Sequence, residues 1–140
     1  MVIRKTNAIA FLGILITAGL VVFFTQVQAQ TLDQQKEALI GEWNGTWPPF
    51  HMASSTLIIH EIDVANGKAR CTYWYSGRNK WYPVLANFTP GPNPKLEFKM
   101  EMTDHEFVLK NKILEGTSRG INVAGKTVDT TIKMEKKPKE

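Results

Sequence analysis

The sequence predicts an all-β fold: a closed or nearly closed antiparallel eight-strand up-and-down barrel, with a short helix before it and a signal peptide before that. Three observations predict it. From Gly41 onward apolar and polar residues alternate with a period of two, the mark of strands with one dry and one wet face. Turn chemistry, Asn66-Gly67 above all, separates the alternating runs at short intervals, so neighbouring strands run antiparallel. The chain of 140 residues is one domain at most. Eight such strands close into a barrel that is either filled by side chains or holds one small ligand. Two packed sheets are the alternative that alternation leaves open.

The elements follow in order. Residues 30–40 read as a short helix or linker, with Thr31 or Asp33 as cap and Leu32, Leu39 and Ile40 as apolar positions. The barrel is expected over 41–134. Gly41 to Trp47 is the first strand, stopped by Pro48-Pro49, which cannot continue a ladder. Ser54 to Val64 is the second, and Asn66-Gly67 turns it into the third, Lys68 to Tyr75. Ser76-Gly77-Arg78-Asn79 leads to the fourth, Trp81 to Phe88, and a proline-rich loop to the fifth, Lys95 to Met102. There Leu96, Phe98, Met100 and Met102 are expected on one face. His105 to Lys110, Ile113 to Arg119 and Thr127 to Met134 complete the set, and 135–140 is a charged, frayed tail.

Residues 1–29 read as an address. Arg4 and Lys5 precede an apolar run of 17 residues, Ala8 to Phe24, and Val27 and Ala29 stand where a signal peptidase wants small residues. The alternative is an uncleaved anchor, although a bilayer span needs about 20 apolar residues. Either way the protein is expected to be exported, to the periplasm or the medium, and to touch membrane only through an uncleaved leader.

Composition narrows the function. Basic residues number 17 against 13 acidic, and Arg4 and Lys5 belong to the leader, so the remainder lacks the concentrated positive face that nucleic acid requires. With 43% hydrophobic residues the chain is not disordered. The single cysteine, Cys71, excludes an intramolecular disulfide and a cysteine-based zinc site.

The stretch Leu39-Ile40-Gly41-Glu42-Trp43-Asn44-Gly45-Thr46-Trp47 puts Gly41, Trp43, Gly45 and Trp47 on one strand face. This Gly-x-Trp-x-Gly-x-Trp opening resembles the first strand of lipocalin-like (calycin) barrels, and more narrowly that of small exported bacterial barrel domains, some of which accompany esterase-type hydrolases. Leu57 to Ile62, Tyr73-Trp74-Tyr75-Ser76-Gly77, Trp81, Val84-Leu85-Ala86 and Leu114-Glu115-Gly116 extend the likeness over about 39–134. The resemblance implies that Trp43 closes the barrel bottom under a basic residue from late in the chain, Lys133 or Arg119, and that the barrel holds an apolar ligand. True lipocalins are longer and usually carry a cysteine pair, which this chain lacks.

No catalytic constellation stands out. His51, His60 and His105 show no metal-ligand spacing and are expected on the surface or in turns. Neighbours on a strand face opposite ways, so neither His60-Glu61 nor His105-Glu106 forms a dyad. Cys71 reads as a buried, inert thiol. No Gly-x-Ser-x-Gly exists, and Ser54-Ser55 after His51 lacks an identifiable orienting carboxylate. The aromatic surplus is the candidate ligand-binding set: Trp43, Trp47, Tyr73, Tyr75, Phe98 and Phe107, with Ser118 and Thr130 as further polar groups. The expected function is therefore non-catalytic binding of a small apolar or amphipathic ligand, with no cofactor. A filled barrel serving as a protein-interaction domain, with an envelope hydrolase as partner, is the alternative, and a small hydrolase or isomerase the third.

Overall fold

A computed structural model of the chain describes residues 32–48 and 53–140; the leader at 1–29, the start of the linker and His51 lie outside them. The barrel lies in the compact unit Gln35–Glu140. A helix, α1, covers 32–39. Eight strands follow: β1 Gly41–Thr46, β2 Ser54–Asp63, β3 Lys68–Tyr75, β4 Lys80–Thr89, β5 Lys95–Met100, β6 Thr103–Lys110, β7 Ile113–Ile121 and β8 Thr127–Lys136. Each pairs with the next, and β8 returns to β1 through Trp43–Lys136, Asn44–Glu135, Gly45–Met134 and Thr46–Lys133. The result is a closed antiparallel up-and-down barrel.

Local chemistry sets the turns. Gly67 supplies the positive φ of the β2–β3 turn, and the Asp63 carboxylate accepts hydrogen bonds from the Asn66 backbone and side chain. Asn111 and Lys112 both take positive φ, giving the two-residue turn between β6 and β7. Glu101, also at positive φ, ends β5 at Met100. Met102 therefore leaves the expected apolar face and is largely exposed. A bulge in β2 falls between Ile59 and Glu61. It keeps Leu57, Ile59 and Ile62 all inward, where strict alternation would have turned Ile62 out.

Strand parity then fixes what fills the barrel. Leu39, Trp43, Leu57, Ile59, Phe88, Leu96, Phe107, Leu114, Ile132 and Met134 are buried together. Two glycines make room. The partner of Phe107 across the β6–β7 ladder is Gly116, where a Cβ would stand 2.5 Å from the Phe107 ring and 2.6 Å from Ile132. At Gly45 a Cβ would stand 2.5 Å from the Lys133 carbonyl oxygen, so β8 could not close on β1 as tightly.

The lower end is closed by α1 and the end of β8. Lys136 donates from Nζ to the carbonyl oxygens of Glu37 and Ala38, both at 2.9 Å, and lies 5.6 Å from the Trp43 ring centroid. These are carbonyls that the helix end leaves unbonded, and a cation there suits the helix dipole. Trp43 Nε1 donates to Leu39 O at 2.8 Å, and Gln35 Oε1 accepts from Gly91 N in the β4–β5 loop. The basic residue over the Trp is thus Lys136, not Lys133 or Arg119. The expected tail is shortened with it, because β8 runs to Lys136 and Lys137 N still bonds Glu42 O, which leaves 138–140 beyond the ladder. Lys133 faces outward, and Arg119 forms a double hydrogen bond with Asp129.

One seam is weak. β4 pairs with β5 only through Asn87–Glu97, Phe88–Leu96 and Thr89–Lys95, whereas its ladder with β3 spans the whole of β3.

The two inward glycines of β7 are predicted to behave differently. Gly116→Ala forces a Cβ into Phe107 and Ile132, and should lower unfolding stability in urea by about 1–3 kcal/mol. At Gly120 the nearest atom to a Cβ is Thr103 Oγ1 at 3.5 Å, so Gly120→Ala should stay within about 0.5 kcal/mol of wild type. Equal losses would show that packing on Phe107 is not what demands the glycine.

Candidate functional site

The described residues do not fill the upper half of the barrel. A cavity of about 420 Å³ opens at the end formed by the β3–β4, β5–β6 and β7–β8 connections, within the size range of small-molecule sites. Trp47, Tyr73, Tyr75 and Tyr82 give its aromatic wall, Ala53 and Met100 its aliphatic part. Ser118, His105, Thr103 and Thr130 add polar groups, and Arg78 with Glu101 stands at the rim, paired at 3.1 Å and more than half exposed.

Two hydrogen-bonded groups form its buried base. Trp47 Nε1 donates to Ser55 Oγ at 2.7 Å, and Ser55 Oγ lies 2.8 Å from the Tyr73 hydroxyl. Burial pushes the Tyr73 phenol up to about 12, against the pull of its hydrogen bond with Ser55. It is a neutral phenol at any physiological pH. On the other side, Ser118 Oγ and His105 Nδ1 lie 2.6 Å apart, and the His105 ring stacks on Phe98 with centroids 5.0 Å apart. Burial lowers the His105 pKa to about 4, with Asp104 opposing, so this imidazole is neutral.

Of the six expected binding aromatics, Trp47, Tyr73 and Tyr75 line the cavity together. Phe98 and Phe107 pack against Tyr73, at centroid distances of 5.7 and 6.3 Å, without lining it. Trp43 sits at the closed end. Ser118 and Thr130 are at the cavity as expected.

The histidine expectation needs correction. His105 is only 8% exposed, because β6 begins at Thr103 and puts residue 105 on the face of Phe107. That parity was the signal available in the sequence. The bulge in β2 exposes both His60 and Glu61, against the expectation of opposite faces; His60 Nε2 meets Thr72 Oγ1 at 2.7 Å and Glu61 pairs with Arg70. Cys71 is buried and its thiol is pushed up to about 12, as an inert thiol requires. Among the described residues no three of His, Cys, Asp and Glu gather as a metal site would need.

A second hollow, of about 440 Å³, lies along β5, β6 and β7 beside the weak seam. Glu97, Lys99, Asp104, Glu106 and Arg119 line it. All five are in ion pairs with neighbours and reach solvent, while Phe98, one of the expected binding aromatics, and His105 also line it, so this is a charged, hydrated trough with a small aromatic part.

His105 makes a pH prediction. Its pKa in the fold lies below its unfolded value of 6.5, so the unfolded chain takes up a proton that the fold refuses. Stability is full above about 6.5 and is lost as pH falls toward 4, by up to about 3 kcal/mol. In His105→Asn, which keeps a partner for Ser118, urea midpoints at about pH 7.5 and about pH 4.5 should differ less than in wild type. An unchanged difference would assign the acid sensitivity elsewhere.

Compared with protein-family models, with curated proteins and with solved structures, the chain finds no match.

Proposed function

We propose that this chain is an exported, non-catalytic, lipocalin-like binding module that takes a small apolar or amphipathic ligand into the open end of its barrel. The observation that carries this reading is the unequal filling of the interior. Below Tyr73 the barrel is packed solid; above it lies an aromatic-walled cavity of about 420 Å³ with the neutral polar groups of Tyr73 and His105 on its wall. A barrel serving only as a scaffold gains from filling that space, since each unfilled methylene-sized gap forfeits packing energy. The Gly-x-Trp-x-Gly-x-Trp strand and the Lys136 contact on Trp43 support the lipocalin-like reading. Export rests on the leader sequence at 1–29.

A second reading, a protein-interaction barrel, draws on the outer face of β3 and β4. Trp74 and Trp81 pair across those strands at 6.2 Å, and Trp81 and Leu85 are exposed at 47% and 67%.

Native mass spectrometry of the protein isolated from its host's envelope or medium separates the two. A bound molecule of a few hundred daltons, released on denaturation, is the expected result. A bare chain that no apolar probe stabilises against heat would favour the protein-interaction reading. Tyr75→Ala removes one wall of the cavity and should weaken capture of that molecule about tenfold or more, while the folded fraction stays high because Tyr75 is only half-buried.

A further inference from the structure

The donors and acceptors at the cavity base can be counted. Trp47 Nε1 only donates, and it donates to Ser55 Oγ. Ser55 is 1% exposed and has one proton to place. Among the described residues its one remaining hydrogen-bond partner is the Tyr73 oxygen at 2.8 Å. Both hydroxyls are buried, but only Tyr73 lines the cavity, so the one proton left without a protein acceptor belongs on Tyr73 and Ser55 donates to it. The Tyr73 oxygen is then an acceptor in this chain, and its own proton remains for whatever occupies the cavity. His105 is similar: Nδ1 is engaged by Ser118, and Nε2 has no protein partner among the described residues.

The charges point the same way. Arg78 and Glu101 are the charged side chains at the cavity, and they neutralise each other at the rim. Among the described residues nothing cationic waits at the base for a carboxylate or phosphate, and burying an unpaired charge there is costly.

Building on the binding reading above, we infer that the ligand is an uncharged, flat organic molecule with a carbonyl-type oxygen, that this oxygen accepts the Tyr73 hydroxyl proton at the cavity base, and that the rings lie against Trp47, Tyr75 and Tyr82. The His105 ring, at 5.3 Å from the Tyr73 ring, offers a second polar contact to the same end of the molecule.

Three probes of one size test this by quenching of tryptophan fluorescence in the protein purified from its host. They are methyl naphthyl ketone, isopropenylnaphthalene, in which a methylene group replaces the carbonyl oxygen, and naphthoate, which carries a charge. The ketone should bind about 5- to 10-fold more tightly than the hydrocarbon, and naphthoate more weakly than the ketone. In Tyr73→Phe the ketone's advantage should vanish while the hydrocarbon still binds, which also shows that the variant is folded. In Ser55→Ala the advantage should persist, because Tyr73 keeps its proton free. If ketone and hydrocarbon bind equally in wild type, or the advantage appears only in Ser55→Ala, the proton runs the other way and the inference falls while the binding reading stands. Tighter binding of naphthoate overturns the uncharged ligand. If no probe binds, the binding reading itself fails.

Discussion

A sheet that closes on itself must bring its first and last strands together, and every inward side chain of this protein depends on that meeting. Here it rests on four residue pairs between β1 and β8 and on one lysine. Lys136 is the last residue of β8, partner of Trp43 in the ladder, and its ammonium reaches the two carbonyls at the end of α1. Strand, helix and indole are joined at one point. Burial lowers its pKa, with Lys139 adding repulsion, yet the carbonyl oxygens and the ring face give the charge partners that bulk water would otherwise supply. Gly41 belongs to the same contact: its missing Cβ leaves the space that the Lys136 stem occupies.

From that closed end the interior changes character upward. Large apolar side chains interdigitate around Trp43 and Phe107, and the layer above substitutes hydroxyls, imidazole and phenols for methyl groups. Ser55, Ser118 and His105 sit on inward positions that Leu or Val would fill in a core built for stability alone. Each has found a hydrogen-bond partner, and among the described residues no deeply buried side-chain nitrogen or oxygen lacks one. The polar layer is therefore compatible with the fold without any ligand, with His105 stacked on Phe98 and Phe107 and Tyr73 tilted against all three rings.

Much of this was legible in the sequence. Alternation gave all eight strands, and β3 matches to the residue, since Gly67 and Ser76-Gly77 punctuate it on both sides. Trp47, Tyr73 and Tyr75 were recognisable as cavity residues because they follow simple parity. What escaped depended on single backbone events. The bulge in β2 moved Glu61 outward and the turn at Glu101 took Met102 from the core, whereas the inward His105 was within reach through its shared parity with Phe107. Extending the parity of Ile132 and Met134 by one step would have found Lys136, but a charged tail does not look like a strand. The Ser55–Tyr73 contact is a diagonal between neighbouring strands, Ser55 standing opposite Tyr75 and Tyr73 opposite Leu57, so it depends on the exact β2–β3 register rather than on parity alone.

The short β4–β5 ladder has a consequence for the protein among its own copies. Barrels resist aggregation because closure leaves no strand edge to recruit another chain. This one retains an edge, the upper part of β4, bonded to β3 but not to β5, with Trp81 and Leu85 beside it on the outer face. The same stretch carries Lys80 at its tip and Pro83 in its middle, a charge and a residue with no N–H to offer. Both are devices that blunt edges elsewhere among β proteins. At high protein concentration, where unprotected edges zip together, solubility would hang on those two side chains more than on anything in the core.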